Sequence, residues 1–301
     1  MPTRIDSPSA ILLTGLALIW GSSFFFAAIA LQEVPPITLT LFRVILAIPL
    51  LALIVWFRGE SLPRETKVWG SYLVMGTLNN AIPFSLIFWG QTQITSGLSS
   101  ILNGATGVTG IIVAGIMLKD ERLSPHKVIG VIIGFFGVIV TLGVDTLQSF
   151  NILSLGQFAI LLAGLSYSFA GVWAKLRLAG QSAEMNAFGM LICSCILMFP
   201  ITLWVDGIPN LDLMTDTWVA LIALAVFCTS VAYLLYFKIL KRAGSGNLML
   251  VTLLIPPVAV TLGVFVLGES IKATSLIGFA LIALGLVVVD GRTALSPKKL
   301  T

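Results

Sequence analysis

Apolar runs of about 20 residues recur along the chain, which is the length an α-helix needs to cross the hydrocarbon of a bilayer. Short polar stretches rich in Pro, Asp, Lys and Arg separate them. Ten such runs lie near 9–31, 37–57, 68–89, 97–118, 125–143, 153–174, 185–204, 214–237, 246–267 and 273–290. The runs are too long for strands and lack the two-residue alternation of a barrel. The pattern predicts an all-α polytopic membrane protein with ten transmembrane helices and no separate soluble domain.

Composition agrees. Of the 301 residues, 57% are hydrophobic and 10% are charged, against about 25% charged in a soluble domain. So few charges cannot cover a soluble globule of this size, and so much apolar surface excludes a disordered chain. One His and three Cys offer little for metal or disulfide chemistry, and no cofactor is expected.

The placement of charge adds orientation. With the N-terminus inside and each run crossing once, fifteen of the 17 Lys and Arg fall in inside segments. Lys272 falls outside, and Arg43 lies within a span. Basic residues collect in cytoplasmic loops, so both termini are expected on the cytoplasmic side of the inner membrane. A miscounted helix would invert every later loop and destroy the bias. The net charge of +4 follows from the same bias and implies no nucleic-acid partner. Residues 1–8 are short and polar, and the run after them is long, so it reads as a retained helix rather than a cleaved leader.

The second half echoes the first. Glu121 before helix 5 matches Glu269 before helix 10, Gly130 matches Gly278, and Gly137 matches Gly285. Trp69 matches Trp218, Phe84 matches Tyr233, Phe88 matches Phe237, and Trp20 matches Tyr167. The near-constant spacing predicts two five-helix repeats, 1–145 and 146–301. Five is odd, so the second copy enters the membrane from the opposite side. Inverted pairs of this kind are typical of secondary transporters, whose substrate sits near the midplane between the repeats. Two similar halves can exchange conformations, which brings inward-open and outward-open states close in energy.

Several short motifs carry a resemblance. Trp20-Gly-Ser-Ser-Phe in helix 1, Phe42-Arg43 in helix 2, the Glu121 and Glu269 turns, and Pro256 in helix 9 stand in a specific order. Together they resemble the EamA-type members of the drug/metabolite transporter superfamily, over nearly the whole chain. Within that family the resemblance is to exporters of aromatic and other neutral amino acids. It implies a ten-helix inner-membrane carrier with a central cavity lined mainly by helices 1, 3, 4, 6, 8 and 9. Helix 9 has Pro256-Pro257 where its mate, helix 4, has Thr106-Gly107. The two halves are therefore expected to bend by different means.

Three groups of residues are candidates for transport. Gly104, Gly107 and Gly110 form a stripe without side chains on helix 4, which suits close packing or a bend. Pro256 and Pro257 free carbonyls in helix 9, tolerable only where buried or facing water. As repeat mates, helices 4 and 9 are the expected hinges. Asn79, Asn80 and Asn103 offer amide donors and acceptors suited to a zwitterion, although buried amides also tie helices together. Trp20, Phe84, Tyr167 and Tyr233 would ring the cavity and stack on a flat apolar substrate. These seven residues form the expected substrate site.

Charge within the spans is scarce. Arg43 lies about 10 Å inside the end of helix 2, and its match to the family motif favours a structural role. Glu121 and Glu269 are expected to cap helix starts. No Asp or Glu lies mid-span, which favours a facilitative carrier over a pump with a buried acid.

Other function classes fit less well. An enzyme needs a reactive constellation, and the sequence holds no HExxH and, within the apolar runs, no paired acids at helical spacing. A channel needs a through-going polar stripe or a ring of charges, whereas the polar residues here cluster near the midplane. The expected function is export of small metabolites, amino acids including aromatic ones, by alternating access. The alternative is a carrier of a drug, a nucleotide-sugar or a lipid, with or without proton coupling. The expected partners are a small-molecule substrate and the lipid bilayer; the oligomeric state is left open.

Overall fold

The structure, a computed structural model, describes residues 6–94, 96–142, 154–258 and 273–290. Among these residues the chain is all-helical. The first three helices are α1 (Ser7–Ala30), α2 (Pro36–Phe57) and α3 (Thr66–Gln91). Next come α4, in two pieces (Ser96–Gly104 and Thr106–Met117), and α5 (Pro125–Leu142). Then follow α6 (Leu155–Arg177), α7 (Ala183–Val205), α8 (Thr215–Ala243) and α9 (Ser245–Val258), and finally α10 (Ala273–Asp290). The face from which α1 starts is called the near face, and the opposite one the far face.

Within the described residues these helices coincide with the apolar runs, with one clear overrun; 259–267 of the ninth run lie outside those residues. Helix α8 continues past its run through Lys238, Lys241 and Arg242. Cations are favoured at a helix C-terminus, so the charged turn extends the helix beyond the hydrocarbon. It ends at Gly244, whose φ of 85° suits a residue without a Cβ. On the outside, Ile11, Trp56, Ile116 and Trp204 are exposed, where a soluble protein would place charge. Apolar residues all round a helix mark a membrane span.

Glycine brings the two repeats together. A Cβ on Gly130 would lie 2.6 Å from the Gly285 carbonyl oxygen, and one on Gly137 would lie 2.9 Å from that of Gly278. Gly130 and Gly278 are repeat mates, as are Gly137 and Gly285. Each contact between α5 and α10 is thus the image of the other, which is the signature of a two-fold relation.

A second symmetric feature is a π turn at matching places in α3 (Thr77–Ala81) and α8 (Val226–Val231). Such a wide turn leaves carbonyl groups open to outside donors. The Ser166 hydroxyl of α6 donates to the Leu78 carbonyl at 2.7 Å. The Trp20 indole of α1 donates to the Cys228 carbonyl at 3.2 Å. Since α1 and α6 are repeat mates, each bulge is met by the same neighbour in the other half.

The glycine stripe on α4 seats α9. A Cβ on Gly110 would lie 2.5 Å from Met249 Cβ, and one on Gly107 would lie 3.2 Å from Leu253 Cγ. A Cβ on Gly104 would meet Val138 of α5 at 3.5 Å. Helix α4 breaks at Ala105, beside this stripe. In α9 the turn falls at Leu250, and residues 251–258 stay helical through Pro256 and Pro257. The interruption expected at the prolines therefore lies earlier in the chain. The rings of Pro256 and Pro257 act on the carbonyls four residues back, those of Thr252 and Leu253, whereas the turn is marked by a tighter bond from the Leu253 amide to the Leu250 carbonyl at 3.1 Å.

Candidate substrate cavity

A buried cavity lies between the two repeats. Trp20, Ser23 and Phe24 of α1, Arg43 of α2, and Phe84, Ile87, Phe88 and Gln91 of α3 form one part of its wall. Asn103 and Thr106 of α4, Tyr167 of α6, Tyr233 and Tyr236 of α8, and Met249, Thr252 and Ile255 of α9 complete it. The lining helices are those the resemblance implies, with α2 added. The open space is about 50 Å³, enough for a few waters, given that one needs roughly 10–15 Å³. An ordinary ligand pocket holds about 300–1,000 Å³, so the cavity is contracted in this conformation.

Its walls are largely aromatic. Tyr233 and Tyr236 meet edge to face with ring centroids 6.1 Å apart, and Trp20 sits 6.2 Å from Tyr236. Phe84 and Phe88 stack at 6.1 Å. Arg43 lays its guanidinium over the Phe84 ring, 3.9 Å from the centroid, within range of a cation–π attraction.

Arg43 is buried. Its Nε donates to the Thr229 hydroxyl at 2.9 Å, and its Nη2 donates to the Cys228 carbonyl at 3.0 Å. These bonds satisfy the π turn of α8. The same guanidinium also lines the cavity. No carboxylate among the described residues pairs with it. A buried charge without a counter-ion is costly, and here it is held by neutral acceptors and ring faces.

Four further polar atoms are left open around the same space. Gln91 Oε1, Asn103 Oδ1, Thr106 Oγ1 and the Tyr236 hydroxyl are buried without a hydrogen-bond partner. Each such atom costs about 1–3 kcal/mol, and most buried polar groups in folded proteins are satisfied. Their convergence on one cavity marks a place where water or a ligand completes the bonding.

The candidate residues divide accordingly. Trp20, Phe84, Asn103, Tyr167 and Tyr233 come together in the wall. Asn79 and Asn80 do not line it. The Asn80 amide donates to Ser194 of α7 at 2.7 Å and accepts from the Tyr233 hydroxyl. Asn79 Nδ2 lies against Asn80 and the Met190 sulfur. The pair thus fastens α3 to α7 and positions Tyr233. Sequence reasoning had not singled out Gln91, Tyr236, Met249 or Thr252. The last two share one face of α9 with Ile255 at three-residue spacing, a stripe that was open to view.

Glu121 is buried on the near face. Its carboxylate accepts from the Ser245 and Gly246 amides at 2.7 and 2.6 Å. It does cap a helix start, but that of α9 rather than of its neighbour α5. The Lys175 ammonium of α6 donates to Glu121 and also to Asp120, at 2.5 and 2.6 Å. The bond from Lys175 holds the Asp120 carboxyl below its ordinary pKa. Glu269 lies outside the described residues. No cluster of three metal-ligating side chains occurs among the described residues.

The EamA-like transporter family matches residues 7–143 and 154–289, one match per half. The chain is 20% identical over 275 residues to an uncharacterized transporter, YoaV, of Bacillus subtilis, covering 91% of this chain and 94% of that one. It is 26% identical over 272 residues to protein PagO of Salmonella typhimurium, covering 89% and 88%. Protein PecM of Dickeya dadantii is 23% identical over 283 residues, covering 93% and 92%. A crystal structure of a protein 20% identical in sequence shares the fold, with a TM-score of 0.77 over 94% of this chain and 98% of the other. The chain is a membrane transporter, not an enzyme, and it belongs to the EamA-like transporter family.

Proposed function

We propose that the chain exports amino acids, including aromatic ones, by facilitated alternating access. The observation that carries this reading is the Arg43 guanidinium, which faces the cavity without an acidic partner among the described residues. A substrate carboxylate supplies the missing counter-charge through a strong charge-assisted bond. Asn103 Oδ1 and Gln91 Oε1, both open acceptors, suit an ammonium group. The faces of Trp20, Phe84 and Tyr236 suit a flat apolar side chain. A nucleotide-sugar needs several cations for its phosphates, whereas Arg43 is the one basic side chain in the lining among the described residues.

The cavity must widen several-fold to admit an amino acid, which supports alternation between contracted and open forms. Among the described residues no Asp or Glu lines it, which supports facilitated movement rather than proton antiport. The basic residues of the near face support cytoplasmic termini in an inner membrane, a placement that reporter fusions to both termini would test.

Counterflow in proteoliposomes tests the function. A panel of aromatic amino acids, their carboxamides, nucleotide-sugars and organic cations is offered without a pH gradient. Aromatic amino acids should exchange, and the carboxamides, which lack the charge for Arg43, should not. Asn103→Ala should lower exchange roughly tenfold, the loss of one good polar contact. Exchange of carboxamides as fast as of acids, or a strict need for a pH gradient, would refute the reading.

A further inference from the structure

A second cavity of about 550 Å³ opens on the near face, between the ends of α2, α6, α7 and α8. Four basic side chains line it, Arg58, Lys175, Lys238 and Lys241, against one acid, Glu184. Two of the four are already engaged. Arg58 pairs with Glu184 at 3.0 Å, and Lys175 pairs with Asp120 and Glu121. Lys238 and Lys241 have no ion pair among the described residues.

The cavity has further features of an anion site. Helix α7 begins in its wall, at Ser182, Ala183 and Glu184. The amides and dipole of a helix N-terminus favour negative charge. The Ser182 hydroxyl caps that start, accepting from the Met185 amide at 2.9 Å and donating to the Glu60 carboxylate, so the free charge of the cavity rests on Lys238 and Lys241. Basic residues are common on one face of any membrane protein, but that bias does not place two free ammonium groups in a walled cavity beside a helix N-terminus.

We infer that this cavity binds a phosphate-bearing anion, namely the headgroup of an anionic phospholipid. Its inner wall is apolar, with Leu178, Phe237 and Leu240 buried there. Beside it Trp56, Phe57 and Leu176 stand exposed on the outside of the bundle, where acyl chains would lie. Basic pockets between membrane helices take lipid headgroups in this way. A free phosphate offers the same charge but gains nothing from the flanking apolar surface.

The test is titration of the detergent-purified full chain, read by native mass spectrometry and by the thermal unfolding midpoint. Three ligands are compared: phosphatidylglycerol, phosphatidylcholine and inorganic phosphate. Phosphatidylglycerol should bind and raise the midpoint, while phosphatidylcholine should bind roughly tenfold more weakly or less. The double variant Lys238→Ala/Lys241→Ala should lose this preference and keep the lipid-free midpoint, since both side chains are exposed. The charge-matched control Arg64→Ala/Lys67→Ala, on the same face but outside the cavity lining, should keep it. Equal loss in the control, or no preference in the parent chain, overturns the site. A lysine-dependent effect of inorganic phosphate with none from phosphatidylglycerol overturns the lipid assignment.

Discussion

Single residues carry unequal weight here, and Glu121 carries much of it. Its one carboxylate satisfies the Ser245 and Gly246 amides and the Lys175 ammonium. Glu121→Ala leaves the two buried amides without this acceptor and Lys175 with Asp120 alone. Breaking a buried charge pair costs about 3–5 kcal/mol, so the thermal midpoint should fall sharply, whereas Glu121→Gln, which keeps one acceptor oxygen, should fall less. Asp6 gives the contrasting exposed case. Its carboxylate accepts from Ser9 at the start of α1 and from Arg242, and these bonds, that of Ser9 first, lower its pKa from 3.8 to about 2. A depressed carboxylate stabilises the fold above its unfolded pKa and loses that effect as pH falls through its folded one. Protection of the Ser9 amide, taken relative to its intrinsic exchange rate, should therefore fall between pH 3.8 and about 2, and Asp6→Ala, which removes the cap, should show little protection at every pH. Residue chemistry made some of the site legible: Trp20, Phe84, Asn103, Tyr167 and Tyr233 all reach the cavity. It did not separate Asn103 from Asn79 and Asn80. An amide reads the same whether it faces a cavity or a neighbouring helix, and the π turn at Thr77–Ala81 shifts the helical phase in which those two residues sit.

Elements were more legible than sites, because crossing a bilayer demands apolar runs of about 20 residues and little else in a sequence looks like that. What the runs do not reveal is a bulge. The π turns of α3 and α8 hold no marker residue, and what distinguishes them is the bonding around them: Ser166 and Trp20 donate to their carbonyls, and Thr229 and Ser230 bond carbonyls five residues back. Ser166→Ala should leave the Leu78 carbonyl without its side-chain donor and cost about 1 kcal/mol, seen as a lower unfolding midpoint with an unchanged helical circular dichroism signal. Glycine separates by neighbour in the same way. A methyl group at Gly130 would strike backbone atoms of α10 at 2.6 Å, whereas one at Gly70 would meet nothing within 4 Å. Gly130→Ala should cost about 1–3 kcal/mol through overpacking. Gly70→Ala should instead stabilise α3 by about 0.5–1 kcal/mol, the helix preference of Ala over Gly. If both variants lost the same stability, the α5–α10 contact would not be the tight one.

At the scale of the whole molecule, the ties are distributed unevenly between the two ends of the cavity. On the near face Lys175 of α6, the Asp120-Glu121 turn after α4 and the start of α9 are joined in one cluster around the buried Glu121. Helices α4, α6 and α9 all line the cavity, and the cluster ties their near-face ends together. In the upper wall Gln91 of α3, near the far face, keeps an open acceptor. Access from the near face then requires this cluster to part, while the α5–α10 contact, packed backbone to backbone, stays whole. A Cys-free background in which Cys193, Cys195 and Cys228 are replaced allows both ideas to be tried. With Lys175→Cys and Asp120→Cys added, a short bifunctional thiol reagent should stop counterflow, and a cleavable version should restore it on reduction. The two single-cysteine proteins treated alike control for loss of the ion pairs themselves. A crosslink between outward positions of α5 and α10, such as Ile132→Cys and Leu284→Cys, should leave transport intact if its span fits. Undiminished counterflow through the first crosslink would mean that the near-face cluster is a fixed brace, and the moving gate would have to lie elsewhere in the bundle.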